Sequence, residues 1–351
     1  MSASSRRAEV LGDGPAALAA ALGLARRGWR VDLVVPPRRA KEISRIDVLG
    51  GSALATLARL GVSRDDMLAV ARPCPGTWSH WGREGPAGMD YLAAPQGPAW
   101  AVDRCGFDAL LEARALAAGV TRAAGREGRS WRILASGRRG ATGAVDDELV
   151  ALVAMGEVPA SAAPVDTRLM IEAAPEAWAY GVMGPGRSAC LGVITDAEAL
   201  AGARPGPFAA AVLGRTERIV RLLDRLGGPL AVAATPLPCR FLPLRADPRS
   251  IRIGDAQASF DPLAGRGLWA AIRGAEEVAA ALDEEPGRLA LVARRAHAAY
   301  CTYLATRAAF YRAGHDRFGT GFWARRLAAQ LKHPRRGHAI ADPEERRRFA
   351  I

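Results

Sequence analysis

Lysine is almost missing from this sequence of 351 residues. Only Lys41 and Lys332 are lysines, so all but two of the 48 basic residues are arginine. Acidic residues are interspersed along the whole chain, and the net charge is +12. This spread favours a solvated basic surface, with a face that attracts an acidic partner or substrate as the alternative. The sequence has no recognition helix, zinc finger or aromatic RNA-binding strand, so we expect no nucleic acid partner.

Clustered cysteines and long apolar runs are also missing. The five cysteines are odd in number, form no Cys-x-x-Cys pair and lie near no histidine cluster, which predicts reduced thiols and no metal site. No apolar run approaches the roughly 20 residues of a membrane helix. The polar start shows no signal peptide, so we expect a cytoplasmic protein. Templates for serine hydrolases, zinc proteases and phosphate loops are absent.

The order of elements predicts two kinds of sheet. Residues 8–35 read as strand, tight turn, Ala/Leu-rich helix and strand, the unit that opens a parallel sheet. Residues 148–193 read as consecutive short strands separated by Pro and Gly turns, which predicts an antiparallel sheet. The remaining predicted elements are a helix at 46–61, a loop at 73–100, helices at 107–118, 207–226 and 268–282, a strand at 250–253 and helical structure to about 331.

The turn after the first strand carries a nucleotide-binding motif. It consists of Gly12, Asp13, Gly14, Pro15, Ala16 and Ala17. Gly12 permits the tight turn, Gly14 lets the backbone approach a pyrophosphate, and Ala17 allows close packing of helix on strand. The free N–H groups at the start of the helix favour an anion. The motif between a strand and a helix predicts a dinucleotide site.

A second glycine-rich motif follows about 240 residues later. Its main residues are Gly254, Asp255, Ala256, Pro262, Gly265, Gly267 and Leu268. Together with the first motif it resembles the GDA and DPxxGxG signature of the FAD-dependent monooxygenases. The resemblance implies that Asp255 binds hydroxyls of FAD and that the turn from Pro262 to Leu268 lies beside the isoalloxazine. The start of the following helix would favour a reduced, anionic flavin.

Further stretches indicate which branch of this family the sequence resembles. They are residues 74–82, 102–108, 135–139, 310–311 and 322–326. This set resembles the tryptophan-halogenase-like branch, nearest to the maturation flavoproteins of cysteine tryptophylquinone enzymes. The resemblance implies a tryptophan of a partner polypeptide as substrate and places Arg104 near the FAD phosphates and ribityl chain. The alternative for Arg104 is an arginine at the start of a surface helix.

The sequence departs from this family in three places. Val35 stands where an acid would hold the adenosine ribose, and Asp32 comes three residues too early. The segment between Val120 and Trp131 is short. The stretch from Trp178 to Met183 lacks the proline of the halogenase signature, and no lysine lies between Lys41 and Lys332, which argues against halogenation.

Four residues are candidates for the substrate side. His80 and Trp81 lie in the predicted 62–102 loop, where His80 would position or deprotonate an aromatic substrate, or serve no chemical task. Trp178 and Tyr180 alternate on a strand, where they would line the pocket or pack in the core. Tyr311, Phe322 and Trp323 are expected to pin the C-terminal helices to the body.

We therefore predict an α/β flavoprotein of the Rossmann type, like the group A flavin monooxygenases and glutathione reductase. The predicted domains are an FAD-binding domain (1–145 and 235–285), an antiparallel-sheet substrate domain (146–234) and a C-terminal helical extension with a basic tail (286–351). The predicted activity is FAD-dependent hydroxylation of an aromatic ring, on a small molecule or a partner polypeptide, with NAD(P)H or a flavin reductase as electron donor. The alternatives are another flavin chemistry, as in a reductase, dehydrogenase or halogenase, and a non-catalytic relative that binds a partner.

Overall fold

The computed structural model describes residues 6–35, 44–91, 94–124, 130–228 and 230–331. The strands within these ranges are β1 (Arg7–Leu11), β2 (Arg30–Val34), β3 (Ile46–Leu49), β4 (Ala71–Cys74), β5 (Gly76–His80), β6 (Ala87–Asp90), β7 (Ala99–Asp103), β8 (Thr121–Ala123), β9 (Trp131–Leu134), β10 (Asp147–Glu157), β11 (Leu169–Ala174), β12 (Ala177–Met183), β13 (Ser188–Thr195), β14 (Val232–Phe241), β15 (Arg245–Asp247), β16 (Ser250–Arg252) and β17 (Ala258–Ser259). The helices are α1 (Pro15–Ala25), α2 (Ser52–Arg59), α3 (Arg64–Val70), α4 (Arg104–Ala117), α5 (Pro205–Leu213), α6 (Ile219–Leu223), α7 (Gly267–Glu284), α8 (Leu289–Phe318) and α9 (Gly321–Leu331).

The first sheet is mostly parallel and carries both glycine motifs. Its strand order is β15-β16-β9-β1-β2-β8, and only β15 runs antiparallel to its neighbour. Helix α1 connects β1 to β2, which confirms the predicted strand–helix–strand unit. Ten of its eleven residues are buried, because the helix lies between the sheet and helices α4 and α7. Small Ala side chains are what such a doubly covered helix needs for close packing.

The second sheet has eight strands in the order β17-β14-β10-β13-β12-β11-β5-β6. All neighbours are antiparallel except β11 and β5. One face packs against α5 and α6 in a core that includes Trp78, Ala179 and Leu222. The other face, which includes Trp178, packs against α8 and α9. The strands predicted at 148–193 are therefore confirmed.

A third sheet of three antiparallel strands, in the order β3-β7-β4, joins the two larger ones. Its residues Ile46, Ala99 and Ala101 share a core with Val182 and Cys190 of the eight-stranded sheet. The three-stranded sheet therefore covers the part of the large sheet that α8 and α9 leave open. Among the described residues, no helix has both the length and the hydropathy to cross a membrane.

Three predicted elements were wrong, and one long strand was not predicted. The helix predicted at 46–61 is strand β3 followed by α2, because residues 46–49 pair with β7. The loop predicted at 73–100 contains β4 to β7, and β5 and β6 belong to the large sheet. Strand β14 was missed. The single helix predicted at 207–226 is interrupted between α5 and α6, where the buried carboxylate of Glu172 accepts hydrogen bonds from the backbone N–H groups of residues 217–219.

The predicted domain limits stay a prediction, with one qualification from the sheets. Strand β5 and residues 235–239 of β14, which the prediction placed in the FAD-binding domain, pair with strands assigned to the substrate domain, and β6 extends this sheet through β5. Helices α8 and α9 form the predicted C-terminal helical part, while the basic tail from 332 lies outside the described residues. Tyr311, Phe322 and Trp323 pack in one core with Trp178, so they attach these helices to the sheet as expected.

Candidate functional site

Gly12 occupies a position that no other residue fits. Its backbone has φ +140°, and its N–H donates to the carbonyl oxygen of Val34 at 2.9 Å. A Cβ at this position would lie 2.3 Å from the carbonyl oxygen of Ala135 and 3.3 Å from the Cβ of Ala17. The first glycine and the alanine of the motif therefore allow β1, β9 and α1 to meet closely, as the sequence predicted.

The N-terminus of α1 is open toward an anion. Gly14 is its N-cap in an extended conformation, Pro15 is the first helical residue, and no side chain caps the helix within the described chain. A Cβ on Gly14 would find only the Nη2 atom of Arg104 within 4 Å, at 3.8 Å. Asp13 is exposed, whereas Ala16 and Ala17 are buried. An uncapped helix N-terminus beside a guanidinium has the chemistry that phosphate groups bind to in proteins.

Arg104 is the first residue of α4 and stands among carboxylates. Its Nη1 donates to Asp47 at 2.9 Å, and its Nε donates to Asp108 at 3.0 Å. Burial raises the pKa of Asp108 to about 6, because the Arg104 charge offsets only part of the desolvation. Desolvation also acts on Asp47, but the charges of Arg45 and Arg104 outweigh it and lower the pKa of that carboxyl. Arg104 is thus held at the first motif.

The second motif meets the first at Gly254. The backbone there has φ +58°, and a Cβ would lie 2.6 Å from the Cβ of Ala16 and 3.8 Å from that of Ala271. Asp255 follows in a single helical turn and accepts a hydrogen bond from Nε of Arg138 at 2.9 Å, while Ala256 is buried. Two motifs that are about 240 residues apart in sequence therefore form one edge of the parallel sheet.

Residues 260–268 follow, and we name them the flavin loop after the cofactor position that the resemblance implies for them. Asp261 begins a short turn at Pro262 and accepts a hydrogen bond from the amide of Leu263 at 2.9 Å. Gly265 has φ +57°, and neither it nor Gly267 has an atom within 4 Å of an added Cβ. Leu268 is buried in the first turn of α7, which no side chain caps among the described residues. The backbone of the loop is therefore uncovered at Gly265 and Gly267, on the side where a side chain would otherwise stand.

The aromatic face of the large sheet lies next to this loop. Trp178 and Tyr180 are neighbours on β12, with ring centroids 6.2 Å apart. The Tyr180 ring lies so close to Gly192 that a Cβ there would be 2.0 Å from it. Burial raises the pKa of the Tyr180 hydroxyl well above its usual value, so the group stays neutral. Trp178 is buried and Tyr180 is partly buried; we name the pair the substrate wall after the role predicted for them.

Trp81 belongs to the core behind this wall. Its ring contacts those of Trp178 at 5.9 Å and Trp323 at 5.4 Å, and its indole N–H donates to the carbonyl of Phe310. It is buried and fixes α8 and α9 on the sheet.

His80 does not lie where we predicted. Its Nδ1 is 3.4 Å from Glu217, which lies just before α6, and its ring contacts Trp78. Trp78 packs in the core of the α5–α6 face, the opposite face from Trp178. The alternation of side chains along β5 sends His80 to the same face as Trp78. His80 therefore lies on the opposite face of the sheet from Trp178, and its predicted role toward a substrate stays a prediction.

Sequence reasoning missed the role of Arg138. Its Nε and Nη2 donate to the Asp255 carboxylate and, at 3.2 Å, to the carbonyl of Phe260, so it ties together two parts of the second motif. A signal was present, because Arg138 follows strand β9. The ends of parallel strands meet at one edge of a sheet, and β9 lies between the strands that carry the two motifs.

The structure shows the surroundings of Asp32 and Val35, where the sequence departs from the family at the end of the second strand. Asp32 is engaged by the Thr121 hydroxyl at 2.8 Å and by Arg7 at 3.6 Å. Val35 packs against the core of the parallel sheet, and residues 36–43 lie outside the described chain. The short segment predicted between Val120 and Trp131 contains the edge strand β8. Among the described residues, neither the end of β2 nor strand β8 supplies a free acid that could hold an adenosine ribose.

The residues present fit FAD at its phosphates and ribityl chain. The open N-terminus of α1, Arg104 and the missing Cβ of Gly14 match a pyrophosphate, and Asp255 is a hydrogen-bond acceptor for hydroxyls. The open side of the flavin loop at Gly265 and Gly267 leaves room for a flat ring. The described residues contain no group of three His, Cys, Asp or Glu side chains arranged to hold a metal.

Solved structures resemble more than nine tenths of the chain. The peptidyl tryptophan dihydroxylase QhpG, essential for tryptophylquinone cofactor biogenesis, has a TM-score of 0.71 at 24% identity, over 92% of this chain and 78% of its own. CmlS, a flavin-dependent halogenase, has a TM-score of 0.75 at 21% identity, over 94% and 70%. The fold is that of the flavin-dependent monooxygenases and halogenases.

A third structure with this fold is pqsL of Pseudomonas aeruginosa, described as a probable FAD-dependent monooxygenase. It has a TM-score of 0.70 at 15% identity, over 93% of this chain and 100% of its own. No model of a known protein family matches the sequence, and no curated protein matches it either. The predicted fold class is confirmed, including the helical C-terminal part.

Proposed function

We propose that the protein is an FAD-dependent monooxygenase that hydroxylates an aromatic ring. The observation that carries the proposal is the meeting of Gly14, Arg104 and Gly254 at the uncapped start of α1. A flavin held there by its phosphates would extend along Asp255 toward the flavin loop. Leu263 of that loop packs in the same core as Trp178 of the substrate wall, which brings cofactor and substrate positions together.

The proposed roles follow from the chemistry of each group. The α1 N-terminus and Arg104 would bind the pyrophosphate, and Asp255, fixed by Arg138, would accept hydrogen bonds from ribityl or ribose hydroxyls. Bound FAD, once reduced, would supply the activation of O2 for ring hydroxylation. The backbone N–H groups at the start of α7 would favour negative charge on the reduced ring.

The chain itself would orient the ring and exclude water. Tyr180, which is only partly buried, would present aromatic surface and a neutral hydroxyl to a flat substrate, while the buried Trp178 packs beside it. The buried rings of Trp81, Trp178 and Trp323 pack together next to Tyr180 and would exclude water from that side. Exclusion of water protects reactive intermediates from side reactions.

The substrate is proposed to be a small aromatic molecule or a tryptophan in a partner polypeptide. The likeness to a peptidyl tryptophan dihydroxylase supports the second choice. The electron donor is proposed to be NAD(P)H or a separate flavin reductase. The five free cysteines agree with the reducing cytoplasm that we propose as its location.

A halogenase is the second candidate, because flavin-dependent halogenases share the fold. The absence of lysine from residues 42–331 argues against it, since the flavin halogenases that the sequence resembles use a lysine near the substrate. Incubation of the FAD-loaded protein with reductant and tryptophan-containing peptides or small aromatics separates the two. We expect a product 16 mass units heavier that requires O2, whereas a halogenated product that requires chloride or bromide would favour the halogenase.

A further inference from the structure

Among the contacts between α8 and the flavin loop, three side chains on one face of α8 bind a single residue of the loop, Asp261. The amide of Asp261 donates to the hydroxyl of Tyr303 at 2.9 Å. Its carboxylate accepts a hydrogen bond from the hydroxyl of Tyr311 at 2.6 Å and pairs with Arg307 at 3.3 Å. These three α8 residues are spaced four apart, so they share one face of the helix. We call them the α8 clamp.

The clamp extends to the substrate wall. The indole N–H of Trp178 donates to the Tyr311 hydroxyl at 3.3 Å, and the same hydroxyl donates to Asp261. The other carboxylate oxygen of Asp261 accepts from the amide of Leu263 and so fixes the first turn of the flavin loop. One tyrosine hydroxyl therefore stands between the loop proposed to lie beside the flavin and the wall proposed to hold the substrate.

The charges around the clamp are balanced. Arg307 also pairs with Asp147, Arg326 pairs with Asp147 and Asp196, and Arg325 pairs with Asp196. Each of the carboxylates Asp147, Asp196 and Asp261 therefore faces at least one guanidinium. Asp147, Asp261 and Arg307 are almost completely buried, where an unpaired charge would be very costly. This pairing holds Arg307 in place and leaves it little freedom to release Asp261.

We propose that the α8 clamp is a positioning device that sets the distance between the flavin loop and Trp178. This proposal rests on the proposed function, because its purpose is the alignment of flavin and aromatic ring. A displacement of about 1 Å in such a site lowers the rate strongly. The clamp residues touch neither the proposed cofactor nor the substrate, so they act through Asp261.

Tyr311→Phe tests the clamp because it removes only the hydroxyl. The matched control is Tyr300→Phe, on the same helix, whose hydroxyl donates to Asp146 at 2.8 Å and not to Asp261. Trp178→Phe is the third variant, since it removes the link to the wall but leaves the bond between Tyr311 and Asp261. All three are made in the full chain, and thermal unfolding checks that each folds.

The first readout is amide hydrogen exchange across residues 260–268 in the full chain without added FAD. Loss of a hydrogen bond to a charged group predicts exchange about tenfold faster in Tyr311→Phe. Tyr300→Phe and Trp178→Phe should stay within about twofold of the unsubstituted chain. Equal exchange in Tyr311→Phe and Tyr300→Phe would overturn the proposal, and so would equal acceleration in Trp178→Phe, because general core packing would then hold the loop.

The second readout is made with FAD and reductant. Tyr311→Phe and Trp178→Phe should retain FAD but release several times more hydrogen peroxide per hydroxylated product, whereas Tyr300→Phe should not. Unchanged coupling in both variants would contradict the alignment role. If the protein binds no FAD, the proposed function fails, yet the exchange experiment still decides whether the clamp holds the loop.

Discussion

The guanidinium of Arg104 lies 3.8 Å from the position that a Cβ on Gly14 would occupy. This contact joins the helix α4 to the first glycine motif, and it places a positive charge beside the N-terminus of α1. The Arg104 guanidinium already forms ion pairs with Asp47 and Asp108. Binding of a phosphate group would add an anion to this arrangement.

The first prediction concerns Arg104→Ala. FAD affinity should fall about tenfold to a hundredfold, the range expected from ~1.5–3 kcal/mol for a hydrogen bond to a charged group. Titration of the FAD-free protein with FAD, followed by fluorescence, measures it. Arg114→Ala on the same helix, which removes an exposed pair with Asp66, is the control and should leave affinity unchanged. Equal affinity in both variants would exclude Arg104 from the site.

Gly12 and Gly14 should respond differently to the same change. Gly12→Ala forces a Cβ against the Ala135 carbonyl at φ +140°, so we expect a loss of about 2–4 kcal/mol in the free energy of unfolding. Gly14→Ala meets no atom closer than 3.8 Å, so it should fold normally and bind FAD more weakly. Thermal unfolding and FAD titration of both variants measure this contrast. A destabilised Gly14→Ala with unchanged FAD affinity would be inconsistent with an open phosphate site.

The pH dependence of FAD binding follows from Asp108, whose pKa is raised to about 6 by burial. Above pH 6 its negative charge opposes a phosphate bound at Arg104. As the pH falls through 6, the carboxyl becomes neutral and the affinity should rise several-fold. Asp108→Asn should remove this dependence and bind FAD tightly at pH 7. A wild-type affinity that falls between pH 7 and pH 5 would contradict the assignment.

Asp108 also affects folding. Because its pKa in the folded state lies above the unfolded value, the ionised form opposes folding above pH 6. That penalty disappears as the pH falls from about 6 toward 4.

Gly192→Ala tests the substrate wall without touching the flavin site. The new methyl would stand 2.0 Å from the Tyr180 ring and displace it. We expect KM for the aromatic substrate to rise about tenfold while FAD affinity stays constant. Gly88→Ala in β6 of the same sheet, where the nearest atom is 3.9 Å away, is the control. An unchanged KM in steady-state assays would remove Tyr180 from the pocket.

His80→Ala should leave turnover within about twofold of the unsubstituted protein. The reason is its place on the α5–α6 face, beside Glu217 and Trp78. Steady-state hydroxylation assays measure the effect. A loss of tenfold or more would mean that His80 reaches the substrate, against the geometry.

The sequence predicted the parallel-sheet unit and the meeting of both motifs, because local turn chemistry at Gly12 and Gly254 carries them. It did not predict β5 and β6, since the Pro, Gly and Trp content of residues 73–100 is typical of loops. Strand β14 was not predicted because Pro236 and Pro238 argue against a strand, although a strand at the edge of a sheet tolerates proline. On one side of β14, the neighbouring strand β17 pairs only with Arg240 and Phe241, so on that side Pro236 and Pro238 lie at an edge without a partner strand in the described sheet.

The contacts that decide side-chain direction were beyond the sequence. Glu172 starts α6 from 45 residues away along the chain. Asp261 and the α8 clamp are separated by 42 to 50 residues, and Arg326 pairs with Asp147 across 179. No local pattern encodes such pairs. The face taken by His80 likewise depended on the strand register of β5 against β11.

The most direct test of the account is the visible absorption spectrum of the purified protein, before and after incubation with FAD and gel filtration. We predict that the flavin bands co-elute with the protein in about one-to-one ratio and bleach on reduction. A colourless protein that takes up no FAD, while Gly14→Ala and Arg104→Ala behave identically to it, would contradict the flavin site and the proposed hydroxylase.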